Sequence, residues 1–530
     1  MKPERFFGRQ YYIEILEKRI KGLKDGYRQN IALLGDELVG KTSLIFKLLQ
    51  RVYDNHIIML YLESRPESLE SFCRRFIGVL LYNFLSNSNI PLKEDLGFLL
   101  AKSEKYIPKT ADRIRLILAA LKKRKKNGLF TELLSLCESI HQESNKFCVV
   151  IFDEFQNLEH MDARNLYREW SKLLISQKHT MYIIASSARF KAKNILSNNL
   201  SLLFGNFEVL TVEPFDIQTS EEYLKFNLKG QGVSKGLTDF IIHFTGGHPF
   251  YLQLITDVLL KSPGLSLTDI LEEMFFSPSG VLNQRFSNYL KRFQDNLHRQ
   301  DYLSILYLVS GGSNKINDIA HLLRKQKKEL LPRINYLIEI DVISRSADFL
   351  AICDRVFSFW LKFVYQGKAE SLTFDAKNQS LLFRDKINNM IEEFMRSVSS
   401  PIAERFTELL RQFSDDMIRI EKRKVRLDHL REIKPLEFKG RNLNHGIIGR
   451  SHDTLWIICF KNDLLTEDDV AEFARECKKY RHKLQKKVII ALHDVDSNAR
   501  LRALEEKILT WDLNNLNQLF DAFSKPRVIV

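Results

Sequence analysis

Apolar positions along the first two hundred residues follow two alternating rhythms. Ile31-Ala32-Leu33-Leu34, His56 to Leu62, Phe147 to Phe152, Met181 to Ala185 and Phe207 to Thr211 are short, nearly continuous apolar runs. Such runs predict strands buried on both faces, as in a parallel sheet. Between them the spacing turns helical: Ile13, Leu16 and Ile20, then Thr42 to about Arg51, then Ala163 to Ser176. Strands alternating with helices imply an α/β fold, a parallel sheet sandwiched by helices. The stretch from Asn89 to Asn127 is less regular and ends in the basic run Leu121 to Asn127, suited to a solvated helix face or to nucleic acid.

From Thr219 the pattern is helical, broken at Thr245-Gly246-Gly247-His248-Pro249-Phe250. A Gly-Gly turn with Pro at the next helix start suits a helix–helix junction, and equally a lid. Helical spacing over Tyr302–Val309, Lys315–Ala320 and Lys325–Ile338, followed by Val342-Ile343-Ser344-Arg345, predicts a winged helix-turn-helix. Its third helix bears Lys325, Lys327, Lys328 and Arg333, suited to DNA phosphates, although winged helices also bind protein. A helical connector and the basic stretch Glu421 to Arg426 lead to a second α/β unit, with strands at Thr454–Phe460 and Lys487–Ala491 and helices at Glu467–Lys479 and from Asn498. The expected domains are a core at 1–216, a helical lid at 217–297, a winged helix at 298–366, a connector at 367–400 and a C-terminal domain at 401–530.

Composition supports that division. A chain of 530 residues is too long for one core, and 45% hydrophobic with 28% charged residues is a globular balance. A net charge of +14 suits a polyanionic partner, or solvated lysine-rich faces. Six scattered cysteines without a C-x-x-C pair suit buried free thiols in a reducing compartment. No apolar run approaches membrane-spanning length and no leader pattern follows Met1, so a cytoplasmic protein without membrane contact is expected.

The chemistry concentrates at the ends of the first strands. Gly35-Asp36-Glu37-Leu38-Val39-Gly40-Lys41-Thr42 fits G-x-x-x-x-G-K-[ST], with an apolar strand before it and a helix pattern after it. The glycines let backbone N–H groups and a helix N-terminus face phosphate oxygens. Lys41 is expected to reach the β- and γ-phosphates of ATP, and the Thr42 hydroxyl to ligate Mg²⁺. The run Phe147–Phe152 ends in Asp153-Glu154, whose carboxylates lie beside the phosphate loop if the two strands are neighbours. Asp153 then holds Mg²⁺ through water, and Glu154 activates the attacking water. Ser186 and Ser187 close the next strand and suit either a γ-phosphate contact or a helix N-cap.

These stretches together resemble the archaeal-type family of P-loop ATPases, on the STAND and AAA+ side of the class. Phe7-Gly8-Arg9 is similar to that family's opening F-G-R, Val150 to Gln156 to its extended Walker B, Gly246-Gly247-His248-Pro249 to its G-G-x-P lid motif, and Asp354 to Val364 to its D-P-V-F-x-F-W segment. The resemblance spans about residues 6 to 366. It implies that Gly8, Arg9, His248 and Pro249 join the phosphate loop in binding nucleotide, and that Ser186 and Ser187 serve as polar sensors. Two departures stand out. Asn206, within Leu203 to Phe207, replaces an arginine; if that arginine senses the γ-phosphate, hydrolysis is slowed or needs another cation, with Arg189 available. Asp354-Arg355 replaces Asp-Pro and is read as local turn chemistry.

Beyond residue 400 the chain resembles a PD-(D/E)XK nuclease-like domain. The Glu-x-Lys position reads Cys459-Phe460-Lys461, no Asp stands in His445 to Ile448, and Asp453 falls in the turn between strands. Two hard oxygen ligands are lacking, so the domain is expected to be catalytically inactive. The expected function is an ATP-binding, slowly hydrolysing switch that couples nucleotide state to DNA or protein partners, with its oligomeric state open. The alternatives are a nucleic-acid-binding module or defence and signalling scaffold with a vestigial ATPase, and an active nuclease.

Overall fold

A computed structural model describes the chain apart from residues 1–5, 87–92, 124–127, 162–164, 201–205, 230–231, 263, 294–295, 368–375, 422, 439–442, 444, 481–483 and 530. The end of the basic run (Arg124–Asn127), Lys422, and Leu203-Phe204-Gly205 therefore lie outside the described residues. The chain divides into two compact units. The first runs to Thr219 and includes His248–Phe250 and Glu339–Asp341; the second contains the rest.

The first unit is built on β1 (Asn30–Leu34), β2 (Ile57–Glu63), β3 (Phe147–Asp153), β4 (Thr180–Ser186) and β5 (Phe207–Thr211). They form one sheet in the order β2-β3-β4-β1-β5, with every pairing parallel. The continuous apolar runs have a direct cause, because alternate residues enter two separate cores. Ala32, Leu34, Val150, Phe152, Tyr182 and Ile184 face one core, packed by the helices Leu69–Ser86, Leu129–Ser144 and Leu166–Ser176. Ile31, Leu33, Val149, Ile151, Met181 and Ile183 face the other, packed by Gln10–Lys24 and Lys41–Arg51. With both faces covered, a polar side chain at these positions would be left without water.

One sequence expectation is corrected here. The region read as irregular contains two helices, Leu96–Ser103 and Pro108–Lys122. Asp95 caps the first by accepting from the Phe98 amide at 2.7 Å, and Pro108 starts the second. Thr110, Ala111, Ile114, Ile117 and Leu121 are buried at helical spacing. The signals were present, but polar residues around each short apolar stripe obscured them.

In the second unit the helices Arg299–Ser310, Ile316–Leu322 and Lys327–Glu339 precede the antiparallel hairpin β6 (Ile343–Ser346) and β7 (Phe349–Ile352). A second hairpin, β8 (Asp416–Ile420) and β9 (Arg423–Leu427), follows the helices Ala376–Ser399 and Ile402–Leu410. The C-terminal sheet has the order β10 (Glu432–Glu437), β11 (His445–Arg450), β12 (Thr454–Lys461), β13 (Leu484–Ala491) and β14 (Ile508–Trp511). Its first two pairings are antiparallel and its last two parallel. Trp456, Ile458, Val488 and Ile490 pack on Phe406 and on Leu516, Leu519 and Phe520 of the helix Leu513–Ala522. Ile457, Cys459 and Ile489 pack the opposite face against Val470, Phe473 and Cys477.

Trp170 anchors the larger core of the first unit. It meets the rings of Phe130, Phe152 and Tyr182 edge-on at centroid separations of 6.1, 5.6 and 5.2 Å. Trp170→Ala is expected to lower unfolding free energy by about 3–5 kcal/mol in a denaturant titration.

Candidate functional site

The phosphate loop leaves β1 at Gly35 and turns into the helix Lys41–Arg51. Gly35 has no room for a side chain: a Cβ there would lie 2.3 Å from the Val212 carbonyl oxygen. Gly40 sits at φ 102°, in the left-handed region that favours glycine, with open space around it. Leu38 also has positive φ, 60°. Lys41 is buried, and its ammonium donates to the carbonyls of Gly35 at 2.9 Å and Asp36 at 2.8 Å. Burial lowers the Lys41 pKa, opposed by Glu154, Asp153 and Asp36. The lysine is thus folded back along the mouth of its own loop.

Asp153 reaches that mouth by a route different from the one expected. β3 and β1 are not neighbours; β4 lies between them. The carboxylate nevertheless crosses the gap, because Thr42 Oγ1 donates to Asp153 Oδ2 at 2.7 Å and the Tyr61 hydroxyl donates to the same oxygen at 3.1 Å. Burial raises the Asp153 pKa and adjacent Glu154 adds to the rise, against the bonds from Thr42 and Tyr61. A hydroxyl and a carboxylate converging beside a lysine are the hard oxygen donors that Mg²⁺ takes, so the residues fit such an ion.

Glu154 has φ 50°, in the left-handed region. Its Oε2 accepts three bonds: from the Ser187 amide at 3.0 Å, the Ser187 hydroxyl at 2.8 Å and Gln156 Nε2 at 2.6 Å. The two serines therefore differ. Ser187 is turned onto Glu154, whereas Ser186 Oγ bonds the Ala188 backbone, accepting from its amide at 3.1 Å. Ser186 plays the local turn role; Ser187 faces the carboxylate.

The flanking motifs come to the same loop. Arg9, at φ 67° after Gly8 at φ 62°, donates to the Val39 carbonyl at 3.1 Å and lies over the Phe215 ring at 5.0 Å. Burial lowers its pKa. His248 Nε2 lies 3.1 Å from the Glu37 carbonyl, a pairing in which the ring N–H donates. Pro249 opens the helix Pro249–Lys261.

Two positions change meaning. Asn206 precedes β5, whose first residue, Phe207, pairs with Asn30 at the start of β1. The Asn206 carbonyl accepts from Asn30 Nδ2 at 3.1 Å. At ~3.3 Å per strand residue this is roughly 20 Å from the phosphate loop of the same chain. Asn206 is therefore not where a cation would meet this chain's own γ-phosphate. Arg189 is beside the loop: its Nε lies 3.0 Å from Asp36 Oδ1 and 4.0 Å from Asp341 Oδ1. Asp341 also accepts from the Phe190 amide at 3.0 Å, capping the helix Arg189–Asn198, whose own N-cap, Ala188, makes no side-chain bond. An arginine at the first turn after the serine pair was the available signal. Asp341 was beyond sequence reasoning, since 152 positions separate it from Arg189.

Residues 6–255 match the family described as "ATPase domain predominantly from Archaea". Solved structures similar to the chain include the Walker-type ATPase paby2304 of Pyrococcus abyssi, at 20% identity, covering 68% of this chain and 96% of that one with a TM-score of 0.49. The Aeropyrum pernix ORC2 protein in ADPNP–ADP complexes is 11% identical over 73% of this chain and 97% of that one, TM-score 0.39. The RuvB branch-migration motor of Thermotoga maritima is 12% identical over 68% and 96%, TM-score 0.31. No curated protein matches the chain. The family match falls on the N-terminal part of the chain, which holds the parallel sheet and the glycine loop, and it is a similarity to an ATPase domain. Among the described residues no helix is long and apolar enough to cross a membrane.

Gly35→Ala is expected to displace the loop from Val212. The variant should melt at lower temperature and lose nucleotide binding in isothermal titration, with far-ultraviolet circular dichroism unchanged.

Proposed function

We propose that the chain is a Mg²⁺-ATP-dependent switch with slow hydrolysis, whose accessory domains act on DNA or protein. The observation that carries this is the convergence of Lys41, Thr42, Asp153 and Glu154 on one loop mouth, from strand ends separated by β4. Lys41 would exchange its two loop carbonyls for β- and γ-phosphate oxygens, and Thr42 with Asp153 would hold Mg²⁺. That ion, when bound, offsets charge on the phosphates. Arg9 and His248 brace the loop from outside through Val39 and Glu37.

Slow turnover is supported by the state of Glu154. A general base needs a free lone pair toward its water. Here Oε2 is occupied by Ser187 and Gln156, which leaves Oε1 alone to take a proton from water and fixes its direction until those donors move. Arg189, beside Asp36, supplies a cation near the loop that can turn toward the γ-phosphate once it leaves that carboxylate.

The helices and hairpin of residues 298–366 are read as a winged helix after a lid at 217–297. The third helix begins at Lys327, so Lys325, expected on it, precedes it; Lys325 and Arg333 are engaged by Asp301, which leaves exposed Lys327 and Lys328 as the helix's phosphate-facing charges. Residues 401–530, following the connector at 367–400, are read as an inactive PD-(D/E)XK-like domain. Its Lys461 is 3.2 Å from Asp469, a buried carboxylate already used in the capping box of the helix Glu467–Cys477. Cys459 is buried, and burial holds its thiol far above the usual value, the wrong character for a metal ligand.

Lys41→Ala is expected to abolish the heat of Mg²⁺-ATP binding. An unchanged titration would remove the nucleotide site from Lys41. Glu154→Gln should still bind while phosphate release falls by about 10²–10⁴. Gln156→Ala, which frees one side of Glu154, should raise turnover above wild type; a fall would show that Gln156 positions the base and does not restrain it.

A further inference from the structure

The four residues Gly246-Gly247-His248-Pro249 join two helices of the lid, Lys235–Thr245 and Pro249–Lys261. Gly246 and Gly247 both have positive φ, 63° and 77°, so the direction change between these helices is made at the two glycines. The next residue, His248, is the one that bonds the phosphate loop. Gly247 is joined by one peptide bond to the residue that bonds this loop.

Within the second unit the turn is restrained from the far end of the chain. Arg355 is half-buried and lies against the turn: a Cβ on Gly246 would stand 2.7 Å from Arg355 Cδ. The Arg355 guanidinium pairs with Asp521 and approaches His243 Nδ1 at 3.5 Å. Arg527 grips the same carboxylate with a fork, Nε to Oδ2 at 3.0 Å and Nη2 to Oδ2 at 2.6 Å. Its backbone amide donates to His243 Nδ1 at 3.2 Å. The extended residues after the last helix are held in turn. Arg405 Nη2 donates to the carbonyls of Pro526 at 2.7 Å and Arg527 at 3.1 Å, and buried Asn517 makes two bonds to the Val528 backbone at 2.9 and 2.7 Å. Burial alone would raise the Asp521 pKa, but Arg355 and Arg527 outweigh it and hold it well below the usual carboxylate range. Burial and the neighbouring arginines keep His243 neutral, as an acceptor at Nδ1 must be.

The other side of the turn is held by the adjacent residue. Asp354 caps the helix Arg355–Trp360 through the amides of Val356 and Phe357, at 2.9 and 3.0 Å, and also binds the Tyr251 hydroxyl in the first turn of the helix Pro249–Lys261. The Asp354-Arg355 pair, expected to be local turn chemistry, thus fastens both helices that flank the Gly-Gly turn. The arginine that stands in place of proline is the half that reaches the C-terminal segment.

We propose that the C-terminal segment from Asp521 to Val528 is a clasp on the lid hinge. Through Arg355 it sets the angle at Gly246-Gly247 and so restrains release of bound nucleotide. Its link to nucleotide rests on the function proposed above; the clasp itself does not.

The test uses the full chain. Hydrogen–deuterium exchange without nucleotide reads the amides of Gly246 and Gly247, bonded to the Ile242 carbonyl and the Thr245 hydroxyl. Arg527→Gln and Asp521→Asn are expected to speed this exchange about tenfold, as for loss of one charge-assisted bond, leaving β12 and β13 protected. Gly246→Ala, which displaces Arg355 from the lid side, should do the same. Exposed Lys434→Ala is the control. Release of a fluorescent ADP analogue should accelerate in step with hinge exchange. Hinge exchange at the wild-type rate in folded Arg527→Gln and Gly246→Ala would overturn the clasp. Faster exchange with unchanged ADP release would overturn the restraint on nucleotide. A wild type that binds no nucleotide would refute the proposed function instead, and hinge exchange would then decide the clasp alone.

Discussion

The site depends on a hydrogen bond that spans a strand. Thr42 ends the phosphate loop and Asp153 ends β3, yet β4 runs between β1 and β3, so the two side chains meet over the end of a strand belonging to neither. The bond holds only while three strand ends stay level, and that requires the sheet to be rigid. Two cores supply the rigidity by clamping alternate residues of every central strand. An interior packed to crystal-like density passes small displacements on instead of absorbing them.

With β4 in the middle, its terminal residues become the natural mediators. Ser187 is turned onto Glu154 and Arg189 onto Asp36, so one short stretch touches both the carboxylate motif and the phosphate loop. This arrangement explains why a serine pair that looked interchangeable in sequence divides its work. Ser186 still faces the backbone of the following turn, while Ser187 is one step further on, where side chains point across the sheet end.

Much of this was legible in the sequence because local patterns carried it. The strands were readable from runs buried on both faces, and the phosphate loop and acidic pair from residues that must be contiguous to act. What escaped was set by distant parts of the chain. The strand order placing β4 beside β1 leaves no mark on either strand. Asn206 was judged by its motif, although its place at the amino end of the sheet takes it away from this chain's phosphates. Asp341 and Asp521 are single acidic residues in unremarkable surroundings, and each has a partner more than 150 positions away. Arg355 departs from the motif, but its acidic partner is found only in three dimensions.

The adjacency of Asp354 and Arg355 has a mechanical meaning. Consecutive Cα atoms across a trans peptide are ~3.8 Å apart and cannot stretch. Two helices fastened to neighbouring residues are therefore yoked without slack: a swing of one must drag the other or break an anchor. Sequence drift can change either side chain, but it cannot lengthen the yoke without inserting a residue into a helix start. A hinge built this way has few intermediate positions and is suited to discrete states.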